Sequence, residues 1–150
     1  MNGYMPITTP YMYNTLALQK ALSLIKEAVQ GEKNDELFYD YLIHIAPTEE
    51  EKEIITSIRN DEKKHNKMFR KIYKDFTGQE ITGIHEEFEE PKSYIDGIKK
   101  ALFSELRAVE KYRSIRANLP TIYYRDMLFE IITDELKHAD KYNYILNINS

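Results

Sequence analysis

The sequence predicts an all-α bundle of four long helices, on three observations. Apolar residues recur at helical spacing through most of the chain. Breaks fall at Pro47, across residues 78–92 and at Pro120, leaving four segments long enough to be helices. A shift of 73 positions lays Glu32 on Glu105, Tyr39 on Tyr112, Pro47 on Pro120, Asp61-Glu62 on Asp134-Glu135 and His65 on His138. The chain therefore reads as one helical hairpin used twice.

The segments follow in order. Pro6, Pro10, Tyr4, Tyr11 and Tyr13 mark residues 1–14 as an extended arm, and residues 15–150 as the bundle. The first helix is expected from Asn14 or Thr15 to about Ile45, with Leu18, Leu22, Ile25, Val29, Tyr39, Leu42 and Ile43 on its apolar stripe. Gly31 interrupts it at a cost of about 1 kcal/mol, for which the close approach of a neighbouring helix is a candidate reason. Pro47 ends it. Thr48 with Glu51 forms a capping box for the second helix, which stops near Thr77-Gly78. The third runs from near Ser93 to Pro120 and the fourth from about Thr121 to Leu146. Fifteen extended residues reach roughly 50 Å, and a 27-residue helix measures roughly 40 Å. A connection crossing the whole bundle fits, and a simple up-down turn stays open.

Composition bounds the chemistry. One domain with a substantial core is the expectation for 150 residues. A formal charge of -4 argues against nucleic-acid binding. With no cysteine there is no disulfide, iron–sulfur cluster or thiolate nucleophile, and an intracellular, cytoplasmic location fits. No basic segment precedes an apolar run, so neither a signal peptide nor a membrane partner is expected.

The repeat carries the function. Glu32 lies 15 residues before Pro47 and Glu62 lies 15 after it, and Glu105, Pro120 and Glu135 repeat this. At 1.5 Å per residue both glutamates of a hairpin sit roughly 22 Å from the turn, at one height. His65 and His138 stand at i+3 from Glu62 and Glu135, on the apolar faces of their helices. Four glutamates and two histidines thus point inward at one level, where no Lys or Arg is expected to pair them. Buried carboxylates need cations. One glutamate from each of two helices and Glu-x-x-His from each of the others is the ligand set of dimetal bundles. Metal ligands are accordingly Glu32, Glu62, His65, Glu105, Glu135 and His138, with the dimetal centre itself as the reactive group.

Around them, Asp61 is expected to bond His138 and Asp134 to bond His65, each across the repeat. Tyr39 and Tyr112 stand two turns beyond Glu32 and Glu105, within reach of a ligating carboxylate. Glu36 faces inward as a rim acid or an extra carboxylate, and Asp35 is a weaker candidate. His44 and His85 read as surface residues.

These motifs resemble the ferritin-like superfamily, in its rubrerythrin and bacterioferritin branch, over most of residues 15–148. The resemblance implies a ferritin-like four-helix bundle with a long crossover. It also implies two Fe ions, with Glu62 and Glu135 terminal or bridging and Glu32 and Glu105 completing the set. Mn or Zn also suits carboxylate and imidazole donors. Rubrerythrins usually add a four-cysteine rubredoxin domain; without cysteine, electrons come from a separate redox donor. The family's additional glutamate in the third helix is Ala108 here. The implied activity is reduction of hydrogen peroxide or dioxygen by a di-iron oxidoreductase of peroxidase or ferroxidase type, in a homodimer. The alternative is an iron-binding ferroxidase that handles iron without catalytic turnover. A structural module and an oxygenase acting on an organic substrate are the remaining readings.

Overall fold

The computed structural model describes residues 8–83 and 87–150, with side chains from residue 16 onward. Five helices follow one another: α1 (Thr8–Gln30), α2 (Glu32–Ile45), α3 (Glu49–Thr77), α4 (Tyr94–Ala117) and α5 (Ile122–Ile148). Among the described residues there is no strand, and no helix is long and apolar enough to cross a membrane.

The first predicted helix is corrected twice. It begins at Thr8, so residues 8–14 are helical and not an extended arm. Pro10 lies in the first turn, where a missing N–H forfeits no helical bond. Tyr4 and His85 lie outside the described residues, as do the side chains of Tyr11 and Tyr13. The helix is also broken at Gly31, although the chain stays right-handed there (φ -79°, ψ -8°). No neighbouring helix presses on that glycine: a Cβ would meet only the Ala28 and Glu27 carbonyl oxygens, each at 3.7 Å. Gly97 differs, because a Cβ there would lie 2.7 Å from Leu42 Cδ2 and 3.0 Å from Pro91 Cγ. Gly31→Ala should therefore stabilise the fold by about 0.4–1 kcal/mol. Gly97→Ala should destabilise it by about 1–3 kcal/mol. Urea midpoints of the two variants check the opposite signs.

The remaining ends follow local chemistry. Thr48 caps α3: its hydroxyl accepts from Glu51 N–H (3.2 Å) and donates to the Glu51 carboxylate (2.7 Å). That carboxylate is buried and also accepts from Tyr94 Oη (3.0 Å) and Asn149 Nδ2 (2.6 Å), tying three helix ends together. Gly78 closes α3 in the left-handed conformation (φ 68°), and Ser93 caps α4 through Asp96 N–H.

Side-chain pairs fix the directions. Arg59 reaches Asp40 and Arg70 reaches Glu32, so α2 and α3 are antiparallel. Lys111 with Glu27 and Tyr39 with Glu105 set α4 antiparallel to α1–α2. Lys64 with Glu130 and Tyr144 with Glu50 do the same for α3 and α5. Hence α3 and α4 run in one direction, and the segment between them travels along the bundle. It does so beside α1–α2. Thr82 O accepts from Gln30 Nε2, Glu87 N–H donates to Asn34 Oδ1, and Phe88 lies 6.1 Å from the Tyr41 ring.

Two apolar clusters fill the ends of the bundle. One gathers Ala21, Ile25, Phe69, Ile72, Ile115 and Leu128. The other gathers Leu42, Ile55, Ile58, Ile98, Tyr142 and Ile145. Between them lies a polar waist, which holds the repeated acid and histidine residues.

Candidate metal centre

Each Glu-x-x-His pair occupies one turn of a helix whose same face is apolar above and below, so packing carries the polar groups inside. One donor atom each from Glu62, Glu105, Glu135 and His138 lies within 4.8 Å of the others. His65 joins them, with Nδ1 at 3.0 Å from Glu135 Oε1 and 3.8 Å from Glu62 Oε2. The two imidazole rings stack across the waist at 5.9 Å. Glu62 Oε1, Glu135 Oε1 and both Nδ1 atoms are buried without a hydrogen-bond partner. They face one another, His65 Nδ1 at 3.0 Å from Glu135 Oε1 and His138 Nδ1 at 3.2 Å from Glu62 Oε1, so four donor atoms converge inward.

The outer edge of each histidine is held. His65 Nε2 lies 2.8 Å from Asp134 Oδ2, and His138 Nε2 lies 2.9 Å from Asp61 Oδ2. A carboxylate only accepts, so each Nε2 carries the hydrogen and each Nδ1 faces the cluster. Both bonds cross the repeat. Lys137 braces the two aspartates, at 3.0 Å from Asp134 Oδ1 and 3.6 Å from Asp61 Oδ2.

Without metal, the acids and histidines of the waist shift one another's protons. Burial, then Glu62 and Glu105, push Glu135 well above the usual carboxylate range. Burial pushes Glu62 up as well, but His138 and His65 outweigh it and hold Glu62 down at about 2. Burial also opposes charge on His138, and the Glu105, Glu62 and Asp61 carboxylates overcome it, pushing the ring up to about 10. His65 is raised in the same sense against its burial, by Glu62 and Asp134. A divalent ion must displace these protons. Binding should therefore tighten as pH rises from about 6 to 8 and release on the order of two protons per chain. Calorimetry of Mn(II) binding in buffers of different ionisation enthalpy reads that number. A pH-independent affinity would count against these ligands.

Glu32 departs from expectation. Its side chain is 31% exposed and pairs with Arg70 Nη2 at 3.4 Å, outside the cluster. An arginine does therefore stand near that level. Arg70 is steered there by Asn66 Oδ1 (2.7 Å) and Ile81 O (3.2 Å). The break at Gly31, one residue earlier, coincides with the change. The repeat itself diverges at both places: the mates of Gly31 and Arg70 are Ser104 and Asn143. Glu105 accordingly stays buried, and Tyr39 Oη donates to its Oε1 at 3.3 Å. Tyr112 makes no such bond; it packs edge-on against Phe69, rings 5.0 Å apart.

A narrow cavity of about 30 Å3 leads to the waist between α2 and α3. Glu32, Asp35, Glu36, Arg59, Lys63 and Tyr112 are among its walls. Glu36 sits at its rim, 4.0 Å from Lys33. Asp35 is exposed at the mouth of this cavity, and the crowding around it, with Glu62, Glu105 and Glu32, pushes its carboxyl upward to an extent that solvent screening reduces. His44 is exposed. Tyr142 packs in the second apolar cluster, among Leu42, Ile55 and Ile98. The Tyr142 hydroxyl is buried without a partner, and its repeat mate, Phe69, has no hydroxyl to warn of it.

A family model described as Rubrerythrin matches residues 23–97, half of the chain. The match includes Glu32, Asp61, Glu62 and His65 and stops before Glu105. The chain is also 25% identical over 144 residues to the uncharacterized protein YhjR of Bacillus subtilis (strain 168), covering 96% of each.

Proposed function

Because this chain belongs to the rubrerythrin family, we propose that its waist holds two iron ions and that it reduces hydrogen peroxide or dioxygen with electrons from a separate donor. The converging donor atoms at the waist carry this reading: carboxylate oxygens and imidazole nitrogens, the donor types that iron takes. Glu62, Glu105, Glu135, His65 and His138 would hold the ions, and Glu32 would complete the set on leaving Arg70. The family implies a ferritin-like bundle, and the repeat supports its origin as two copies of one hairpin. Manganese or zinc would suit the same donors.

Two ferrous ions, when bound, supply the two electrons that convert a peroxide and two protons to two water molecules. The protein's own groups do the rest. Asp61 and Asp134 fix the ring tautomers. The Tyr39 hydroxyl orients Glu105 from the apolar side. A cavity of about 30 Å3 has room for a water-sized molecule, which suits peroxide or dioxygen. The 150 residues contain no cysteine and so no cysteine-held redox centre to feed electrons to the waist.

The cavity also favours a second reading. Glu32, Asp35 and Glu36 along its wall offer a cation a route inward, as iron handling without turnover would need. One experiment separates the two. Protein loaded anaerobically with two Fe(II) per chain is mixed with peroxide or with oxygen, with a reductant present. Repeated turnover with peroxide supports the reductase. A single oxidation by oxygen that ends in a persistent ferric state supports iron handling. Failure to retain iron would sink both.

A further inference from the structure

Arg70 and Asn66 belong to one half of the repeat alone: their mates are Asn143 and Ala139. All three guanidinium nitrogens of Arg70 are used. Nε donates to Asn66 Oδ1 at 2.7 Å, Nη1 to Ile81 O at 3.2 Å and Nη2 to Glu32 Oε2 at 3.4 Å. The first two acceptors belong to buried residues. They set the plane of the guanidinium, and a planar fork set in this way presents its third nitrogen in a fixed direction. The third bond is the longest, and it goes to a side chain that is 31% exposed. If the two part, the carboxylate moves and the arginine stays.

The waist beside this pair is unequal. Glu62, Glu105, Glu135 and His138 already bring their donor atoms within 4.8 Å of one another. Among the described residues, the ion-pair partners of those three glutamates are histidines alone. On the other side, His65 Nδ1 meets Glu135 and Glu62. Where Glu105 stands 3.6 Å from His138, however, the corresponding acid for His65 is Glu32, which Arg70 holds away. The cavity leading to the waist has Glu32, Asn66, Glu62 and His65 in its walls, and not Glu105, Glu135 or His138. Open space therefore joins Glu32 to His65, and the carboxylate has room to turn inward.

We propose that Arg70 is a latch that keeps one of the two metal positions incomplete. The first ion binds at His138, and the second completes its site at His65 by drawing Glu32 off Arg70. The inference rests on the metal centre proposed above. A divalent ion offers the carboxylate twice the charge of the guanidinium, so it can take Glu32, but breaking the ion pair costs affinity. The second ion is therefore held more weakly than the first, and it sits where the cavity opens. It is the ion that exchanges with solution. When it leaves, Asn66 and Ile81 have kept the guanidinium in place to take the carboxylate back.

The test reads metal binding and not activity. Mn(II) is titrated without oxygen into the metal-free full chain. Electron paramagnetic resonance counts the free ions, and a spin-coupled pair signal marks chains with both positions filled. Circular dichroism confirms that each variant folds. In the unaltered protein the pair signal should lag behind the first equivalent. Arg70→Asn, which copies the other half of the repeat, should tighten the second ion about 3–10-fold and leave the first unchanged. A latch acts through Glu32, so in a Glu32→Gln background Arg70→Asn should change nothing. Three results would each overturn the latch: a second ion unmoved by Arg70→Asn, both ions tightened equally, or a gain that persists with Glu32→Gln. The last would mean that the arginine only repels cations from a distance. A chain that retains no Mn(II) in any form fails at the metal centre itself, and the latch falls with it.

Discussion

Replacing Glu62 and Glu135 together by alanine should abolish the binding of two metal ions per chain. Glu62 lies between both imidazoles, and Glu135 meets His65, His138 and the Glu105 side. Without them Glu105 is the one carboxylate left in the inner cluster. The consequence extends to stability. A ligand held by the native state at a hundred times its Kd adds about 2.7 kcal/mol. For a chain of this size that raises the thermal midpoint by about 5–10 °C. The unaltered protein should show that rise on adding Fe(II) or Mn(II), and the double variant none. Helical circular dichroism distinguishes a lost site from a lost fold. A folded double variant that still held two ions, measured by elemental analysis, would show that the ions bind elsewhere.

The contrast between Glu32 and Glu105 shows where the sequence was legible. Local rules were sufficient for the capping box at Thr48, the glycine stop at Gly78 and the serine cap at Ser93. The repeat was sufficient to bring Glu62, Glu105, Glu135 and both histidines to one level, because packing on either side of the waist dictates their faces. It did not reveal what happens to Glu32. A repeat averages its two halves, and Arg70 is a difference between them: its mate is Asn143, which carries no charge to draw Glu105 away. The start of α1 was missed for a related reason. Prolines read as an extended arm unless it is known that Pro10 falls in a first turn. Tyr142 was concealed by its surroundings, since one hydroxyl on a buried apolar face has no periodicity of its own.

Asp61→Asn and Asp134→Asn should each weaken one of the two metal positions by about 10–100-fold and leave the other nearly intact. The prediction rests on the tautomer. With an aspartate at Nε2, the ring keeps its hydrogen there and leaves Nδ1 free to ligate. Asparagine has the same shape, but it is neutral and can turn its NH2 group to the ring. That arrangement requires a bare Nε2 and moves the hydrogen to Nδ1, the atom the metal needs. Because the bonds cross the repeat, Asp61→Asn acts on His138 and Asp134→Asn on His65. A single variant should therefore give a binding isotherm with one tight and one weak ion, and the double variant should weaken both. Lys137 adds a control. It touches both aspartates but neither histidine, so Lys137→Met should reduce the two affinities together and by less. Two unchanged isotherms for the asparagine variants would mean that these acids merely decorate the helix surface, and that the rings are oriented by packing alone.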